Sequence, residues 1–159
     1  MSRHYKYRVA GKTFVYVDES GFAPTTERDY GWALKGQKVY GMRSGNRRPR
    51  TSLIAARIGK HFDAPMLFEG TTNSGIFNAW LSQELCPKLN HNHVVIMDNA
   101  AFHKSAKTRE LIENTGAILL FLPPYSPDLN PIECDFAALK KNRKYNNERT
   151  LEEIINVYC

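Results

Sequence analysis

Residues 13–17 place Phe14 and Tyr16 on one side and Val15 and Val17 on the other. This is the period-2 pattern of a strand, predicted to end at Asp18. Glu19, Ser20 and Gly21 then read as the start of a turn. A stretch rich in aromatics and glycine, from Tyr30 to Gly41, predicts a second strand. Ser52 to Ile58 predicts a third, so the first half of the chain reads as an antiparallel meander. Pro65 to Gly70 adds a short further strand.

The pattern changes after Thr72. Ile76, Phe77, Trp80, Leu81 and Leu85 recur at helical spacing and predict a helix over about 75–86, capped by Asn73 or Ser74 and ended by Pro87. Val94, Val95, Ile96 and Met97 are apolar without alternation, the signature of a central strand buried on both faces. Asp98 to Lys104 forms the crossing loop. Ser105 caps a predicted helix over about 106–114, which Gly116 terminates. Ala117 to Leu122 is another wholly apolar strand. A helix begins near Pro131 with Asn130 as its cap, and Thr150 to Glu153 opens a last one. Helix–strand alternation in this half implies parallel crossovers, so residues 1–159 read as one α/β domain on a mixed sheet.

Composition narrows the class. A hydrophobic share of 42% and an aromatic share of 11% suit a folded globular protein and argue against a disordered one. No apolar run approaches the ~18 residues of a membrane span, and no apolar signal core follows the basic N-terminus. A soluble, cytoplasmic protein is therefore expected. Cys86, Cys134 and Cys159 are odd in number and far apart, which points to neither a disulfide framework nor a zinc cluster. His91 and His93 flank Asn92 just before a strand; metal ligation is one reading and a polar loop the other. A net charge of +6 says little by itself, but its distribution says more. Arg43, Arg47, Arg48 and Arg50 crowd into one loop, and Lys140, Lys141, Arg143 and Lys144 into one helix.

Three carboxylates stand at the predicted carboxyl edge of the sheet. Asp18 and Asp98 follow strands, and Glu133 lies in the first turn of the helix after the last strand. Such groups repel unless a cation sits between them, and hard divalent cations with oxygen ligands suit the need. Two such ions stabilise the attacking and the leaving oxygen in phosphodiester chemistry. The basic loop and helix would hold the phosphate backbone nearby. Lys140 and Lys144 fall within about 20° of Glu133 around the helix, beside an apolar stripe of Ile132, Phe136 and Leu139. Each residue also has a plainer role. Glu133 falls at the third helical position, where it suits a cap; Asp18 can start an Asx-turn; an acid after a buried strand, such as Asp98, can be paired structurally; and late lysines suit a helix dipole. A phosphatase with an Asp18 nucleophile would want a second Asp two residues on, where Ser20 stands, and no Gly-rich phosphate loop is present.

Three segments resemble the DDE transposases of the mariner-like insertion-sequence group: Val17 to Phe22, Met97 to His103, and the proline-rich run from Leu122 to Glu133, continued by Phe136 to Lys140. The 34 residues between Asp98 and Glu133 match a spacing of that group. The resemblance covers residues 13 to about 145, nearly the whole chain. It implies a ribonuclease H-like mixed sheet with helices on both faces. It also implies a DNA nuclease and strand transferase dependent on two Mg²⁺ or Mn²⁺ ions, forming no covalent protein intermediate. By motif position Asp18, Asp98 and Glu133 are the metal-binding catalytic triad, with Asn99, His103 and Asn130 supporting them. Arg43, Arg47, Arg48, Arg50, Lys140 and Lys144 become the expected DNA contacts. The implied partners are double-stranded DNA at element ends and target, and a second copy of the chain, in a prokaryotic cytoplasm associated with the nucleoid. Full-length family members carry N-terminal helix-turn-helix modules, and a first core strand at residue 13 leaves them no room here. Either a separate chain supplies recognition, or the chain is a non-autonomous remnant that binds DNA without catalysing transposition.

Overall fold

The computed structural model describes residues 7, 10–23, 50–124, 127–146 and 148–159. Strands β1 (Thr13–Phe22), β2 (Thr51–Ile58), β3 (His61–Glu69), β4 (His93–Met97) and β5 (Ile118–Phe121) form one sheet in the order β3-β2-β1-β4-β5. β1, β2 and β3 are antiparallel, whereas β4 joins β1, and β5 joins β4, in parallel. The expected α/β mixed sheet is present. The strand predicted over Tyr30–Gly41 lies outside the described residues, as do Arg43, Arg47 and Arg48.

Alternation along the strands decides what each face buries. Val15, Val17, Ile54, Ala56, Val95 and Met97 pack against Phe77, Trp80 and Ile112 of helices α1 (Ser74–Trp80) and α2 (Ala106–Glu113). Phe22, Leu53, Ala55 and Phe62 pack against Ile132, Phe136, Leu139, Ile154 and Ile155 of α3 (Ile132–Tyr145) and α4 (Leu151–Tyr158). Helices therefore cover both faces. That is why β4 shows no alternation: every side chain from Val94 to Met97 is buried, Val94 and Ile96 toward the α3 side and Val95 and Met97 toward α1.

Several elements depart from the sequence pattern. β1 does not stop at Asp18, and Glu19 to Gly21 form no turn. The strand runs to Phe22 because β2 keeps pairing with it, ending at Phe22 opposite Thr51. β2 and β3 form a hairpin through Gly59 and Lys60, with Gly59 at φ +61, so β3 begins at His61, ahead of Pro65. The register shifts between Ile54 and Ala56, where Ala64 takes φ +52. Pro65 is tolerated because β3 is an edge strand, where a missing N–H costs no rung. The helix predicted over 75–86 is α-helical only to Trp80, then continues as a π turn (Leu81–Leu85) and a 3₁₀ turn (Cys86–Lys88).

The caps follow the sequence at three of the four helices α1 to α4 among the described residues. Asn73 Oδ1 accepts from the N–H of Ile76 (2.9 Å), Ser105 Oγ accepts from Thr108 (3.2 Å), and Thr150 and Glu153 cap α4 reciprocally. At α3 the expected cap is absent: Pro131 precedes the helix with no side-chain cap, because the Asn130 side chain is turned toward β1. α3 is anchored instead by Asp135, which is buried and accepts from Arg57 Nη1 (2.9 Å) and from the Tyr158 hydroxyl (2.6 Å). No helix among the described residues is long and apolar enough to cross a membrane.

Candidate active site

β1 and β4 pair in parallel from Thr13 opposite His93 to Tyr16 opposite Ile96, each partner number larger by 80. The same register carried two residues further sets Asp18 beside Asp98. Asp98 follows the last residue of β4, and Asp18, although inside β1, lies beyond its last rung with β4. Both therefore occupy the carboxyl edge of the parallel strands, where the sheet leaves backbone and side chains open to a ligand. One oxygen each from Asp18, Glu19 and Asp98 lies within 4.8 Å of the others. Glu19 was not anticipated; reading residues 19–21 as a turn concealed it.

The cluster is electrostatically strained. Asp18 is only 6% exposed, and its carboxyl is pushed up to about 8, first by burial and then by the charge of Glu19, with Asp98 and Glu133 adding to it. The Glu19 N–H donated to Asp18 Oδ1 (2.8 Å) works the other way. Asn130 donates its Nδ2 to the other oxygen, Asp18 Oδ2 (3.1 Å). Its own Oδ1 is buried without a partner among the described residues.

His103 carries the opposite charge into the site. Its side chain is fully buried, with Nδ1 2.7 Å from Asp98 Oδ1 and Nε2 3.1 Å from Glu19 Oε2. The ring lies against Phe77, centroid to centroid 4.6 Å. Burial alone would lower its pKa, but the two carboxylates outweigh it and push it up to about 9. The same hydrogen bond is the main reason the Asp98 carboxyl is held below its usual range, helped by the N–H of Ala100 (3.0 Å). Asn99 donates to the carbonyl of Leu122 (2.6 Å), tying the exit of β4 to that of β5.

Glu133 lies in the first turn of α3, exposed and outside the 4.8 Å group, but close enough for its charge to be felt at Asp18. Ile132, Phe136 and Leu139 are buried beneath it, as the helical stripe predicted. Lys140 and Lys144 are exposed, with Lys140 Nζ 5.7 Å from the centroid of the Phe22 ring and Arg143 at the same distance. Arg50 is exposed just ahead of β2. His91, in the turn before β4, and His93, its first residue, make polar contacts: the His91 carbonyl accepts from Lys12 Nζ (2.7 Å), and His93 Nδ1 accepts from the N–H of Asn90 (3.0 Å).

The donor set fits a hard divalent cation. All three clustered ligand groups are carboxylates, and the burial and like charge that raise Asp18 are what a cation bound among them would offset.

A family model described as DDE superfamily endonuclease matches residues 13–155. The fold matches the Mos1 transposase paired-end complex with left transposon end at 20% identity and a TM-score of 0.59, covering 88% of this chain and 44% of that one. It matches the Mos1 mariner paired-end complex with Mn at 18% identity and a TM-score of 0.55, covering 95% and 53%. It also matches a simian T-cell lymphotropic virus intasome at 10% identity and a TM-score of 0.58, covering 91% and 46%. At these identities the likeness is one of fold, the ribonuclease H-like sheet with its helices. The chain spans about half the length of these chains. No curated protein matches the sequence.

Proposed function

The chain belongs to the DDE superfamily of endonucleases, and on that premise we propose that it is the catalytic domain of a DNA transposase, cutting an element's ends and joining them to target DNA. The observation that carries this reading is the meeting of Asp18 and Asp98 across the β1–β4 register, with Glu133 on the helix above. Asp18 and Asp98 would hold Mg²⁺ or Mn²⁺, with Glu133 closing the set from α3; we take the count to be two. Bound there, the ions would supply Lewis-acid activation of the attacking oxygen and stabilisation of the leaving one.

The chain's own groups prepare that site. His103 fixes the orientation of Asp98 by one ring nitrogen and holds Glu19 by the other. Asn130 orients Asp18 by its amide, and Asp18 would ligate as the carboxylate. Asn99 keeps the Asp98 loop against β5. Lys140, Lys144 and Arg50 supply contacts to the DNA backbone, together with Arg43, Arg47 and Arg48, which precede Arg50 in the sequence. Recognition of the element's ends is assigned outside these 159 residues, to a helix-turn-helix segment or chain, and the working unit on DNA to a dimer, in the cytoplasm.

Supercoiled plasmid incubated with Mn²⁺ tests the chemistry. The 159-residue chain should nick it and Asp98→Ala should not. Equal nicking by both, or by neither when a recognition module and element ends are supplied, refutes the proposal.

A further inference from the structure

Beside the carboxylate cluster, on the β3 side of the same sheet edge, a cavity of about 250 Å³ opens between Glu19 and Gly21 of β1, Arg50 and Ser52 at the start of β2, and Thr71 and Thr72 after β3. Its walls are pinned to one another. The Arg50 carbonyl accepts from the N–H of Gly70 (2.8 Å), and the Ser52 hydroxyl donates to the Gly70 carbonyl. Gly21 is required here for space. A Cβ on it would come 1.8 Å from Arg50 Nε and 2.0 Å from Cζ, so the guanidinium lies directly against the Gly21 backbone. No carboxylate among the described residues pairs with that guanidinium.

A guanidinium packed against a glycine backbone, with no carboxylate partner among the described residues, in a cavity lined also by two threonines, is a receptor for an oxyanion with fork geometry. The cavity shares Glu19 with the cluster, so it continues the site along the sheet edge, from the β1–β4 junction toward β3. We propose that this cavity seats one backbone phosphate of the DNA strand, next to the phosphate that is cut. The proposal rests on the DNA-cleavage reading above. It assigns Gly21 the task of leaving room for the guanidinium, and Arg50 that of fixing where along the strand the cluster acts.

The test is duplex binding by the 159-residue chain, read by fluorescence anisotropy with a ~30-base-pair DNA over a NaCl series. Removing one phosphate contact should flatten the log–log salt slope by about 0.9. Arg50→Gln should show that loss. Gly21→Ala should show it too, because it evicts the guanidinium while leaving the charge in the chain. Lys60→Gln removes the same charge from the hairpin at the opposite end of the sheet and should leave the slope unchanged. A wild-type slope in Arg50→Gln, or an equal loss in Lys60→Gln, overturns the subsite. Arg50 is exposed, so its variant decides the matter even if Gly21→Ala fails to fold. Replacing chloride by inorganic phosphate at equal ionic strength should weaken binding in the wild type more than in Arg50→Gln, because the free anion competes for the same guanidinium. Equal weakening of the two would overturn the proposal. Failure of the wild type to bind duplex at all would sink the DNA-cleavage reading itself, an outcome distinct from loss of the subsite only.

Discussion

The Nδ1 of His103 lies 2.7 Å from Oδ1 of Asp98, in a side chain with no exposure to solvent. The other ring nitrogen meets Glu19, so both nitrogens face acceptors and both must donate. His103 is thereby an internal cation between two carboxylates at the sheet edge. His103→Ala should weaken Mn²⁺ binding by about 10–100-fold, the usual cost of losing a partner that orients a ligand. Calorimetric titration of Mn²⁺ checks it, and unchanged affinity would count against the positioning role.

The pH dependence of stability has two windows of the same sign. Asp18 is raised from 3.8 to about 8, so between those values the folded state holds a proton that the unfolded state has released. Stability contributed by this group falls as pH rises through that range. His103, raised from 6.5 to about 9, also binds its proton more tightly when folded, so its contribution is complete below 6.5 and lost as pH rises toward 9. The metal-free melting temperature should therefore decline from pH 5 to 9. Asp18→Asn should flatten the part below pH 6.5 and lessen the slope between 6.5 and 8, leaving the His103 contribution that is lost toward 9. Mn²⁺ should oppose the decline in wild type, since it stabilises the ionised carboxylate. A melting temperature that rises across this range would contradict the assignment.

Glu133→Gln should separate chemistry from folding. The side chain is exposed, and exposed substitutions of this kind change stability by about 0.5 kcal/mol or less. That corresponds to a shift of about 2 °C or less in a chain of this size. Plasmid nicking, in contrast, should fall to background. A variant that melts early yet still nicks would reverse the order predicted here.

Asp135 is expected to behave in the opposite way. It is 4% exposed and receives both Arg57 from the sheet and Tyr158 from α4. Tyr158→Phe removes one hydrogen bond and should cost about 1 kcal/mol. Asp135→Ala strands a partly exposed arginine and should cost about 1–3 kcal/mol, below the figure for a fully buried pair. Urea titration of the two variants measures both values.

Much of this arrangement was legible in the amino-acid order, and the parts that were not share a cause. The apolar run of β4, the Ser105 cap and the stripe of Ile132, Phe136 and Leu139 each report a burial environment that local pattern encodes directly. Glu19 to Gly21 misled because polar residues in a strand are normally a stop signal. There they continue the strand, held by pairing with β2, whose first residue lies 29 positions beyond Phe22. Asn130 has the local features of a helix cap, and only the proximity of Asp18 diverts it. The partnership of His103 with Glu19 spans 84 positions, and no periodicity reports it.

Asp18 and Asp98 are aligned by strand register, and this bears on how such a domain can change in length. The chain between them can gain or lose residues in its loops without moving either acid, because the hydrogen-bonded rungs from Thr13 to Tyr16 set their relative position. Glu133 is reached from β5, itself in register with β4, through residues 122 to 131 and the start of α3, so residues added between Phe121 and Glu133 would displace it, and one added in the helix ahead of it would rotate it by about 100°. Length can therefore vary in the crossover between β4 and β5 as it can between β1 and β4, whereas the stretch from the end of β5 to Glu133 cannot change without moving the third acid.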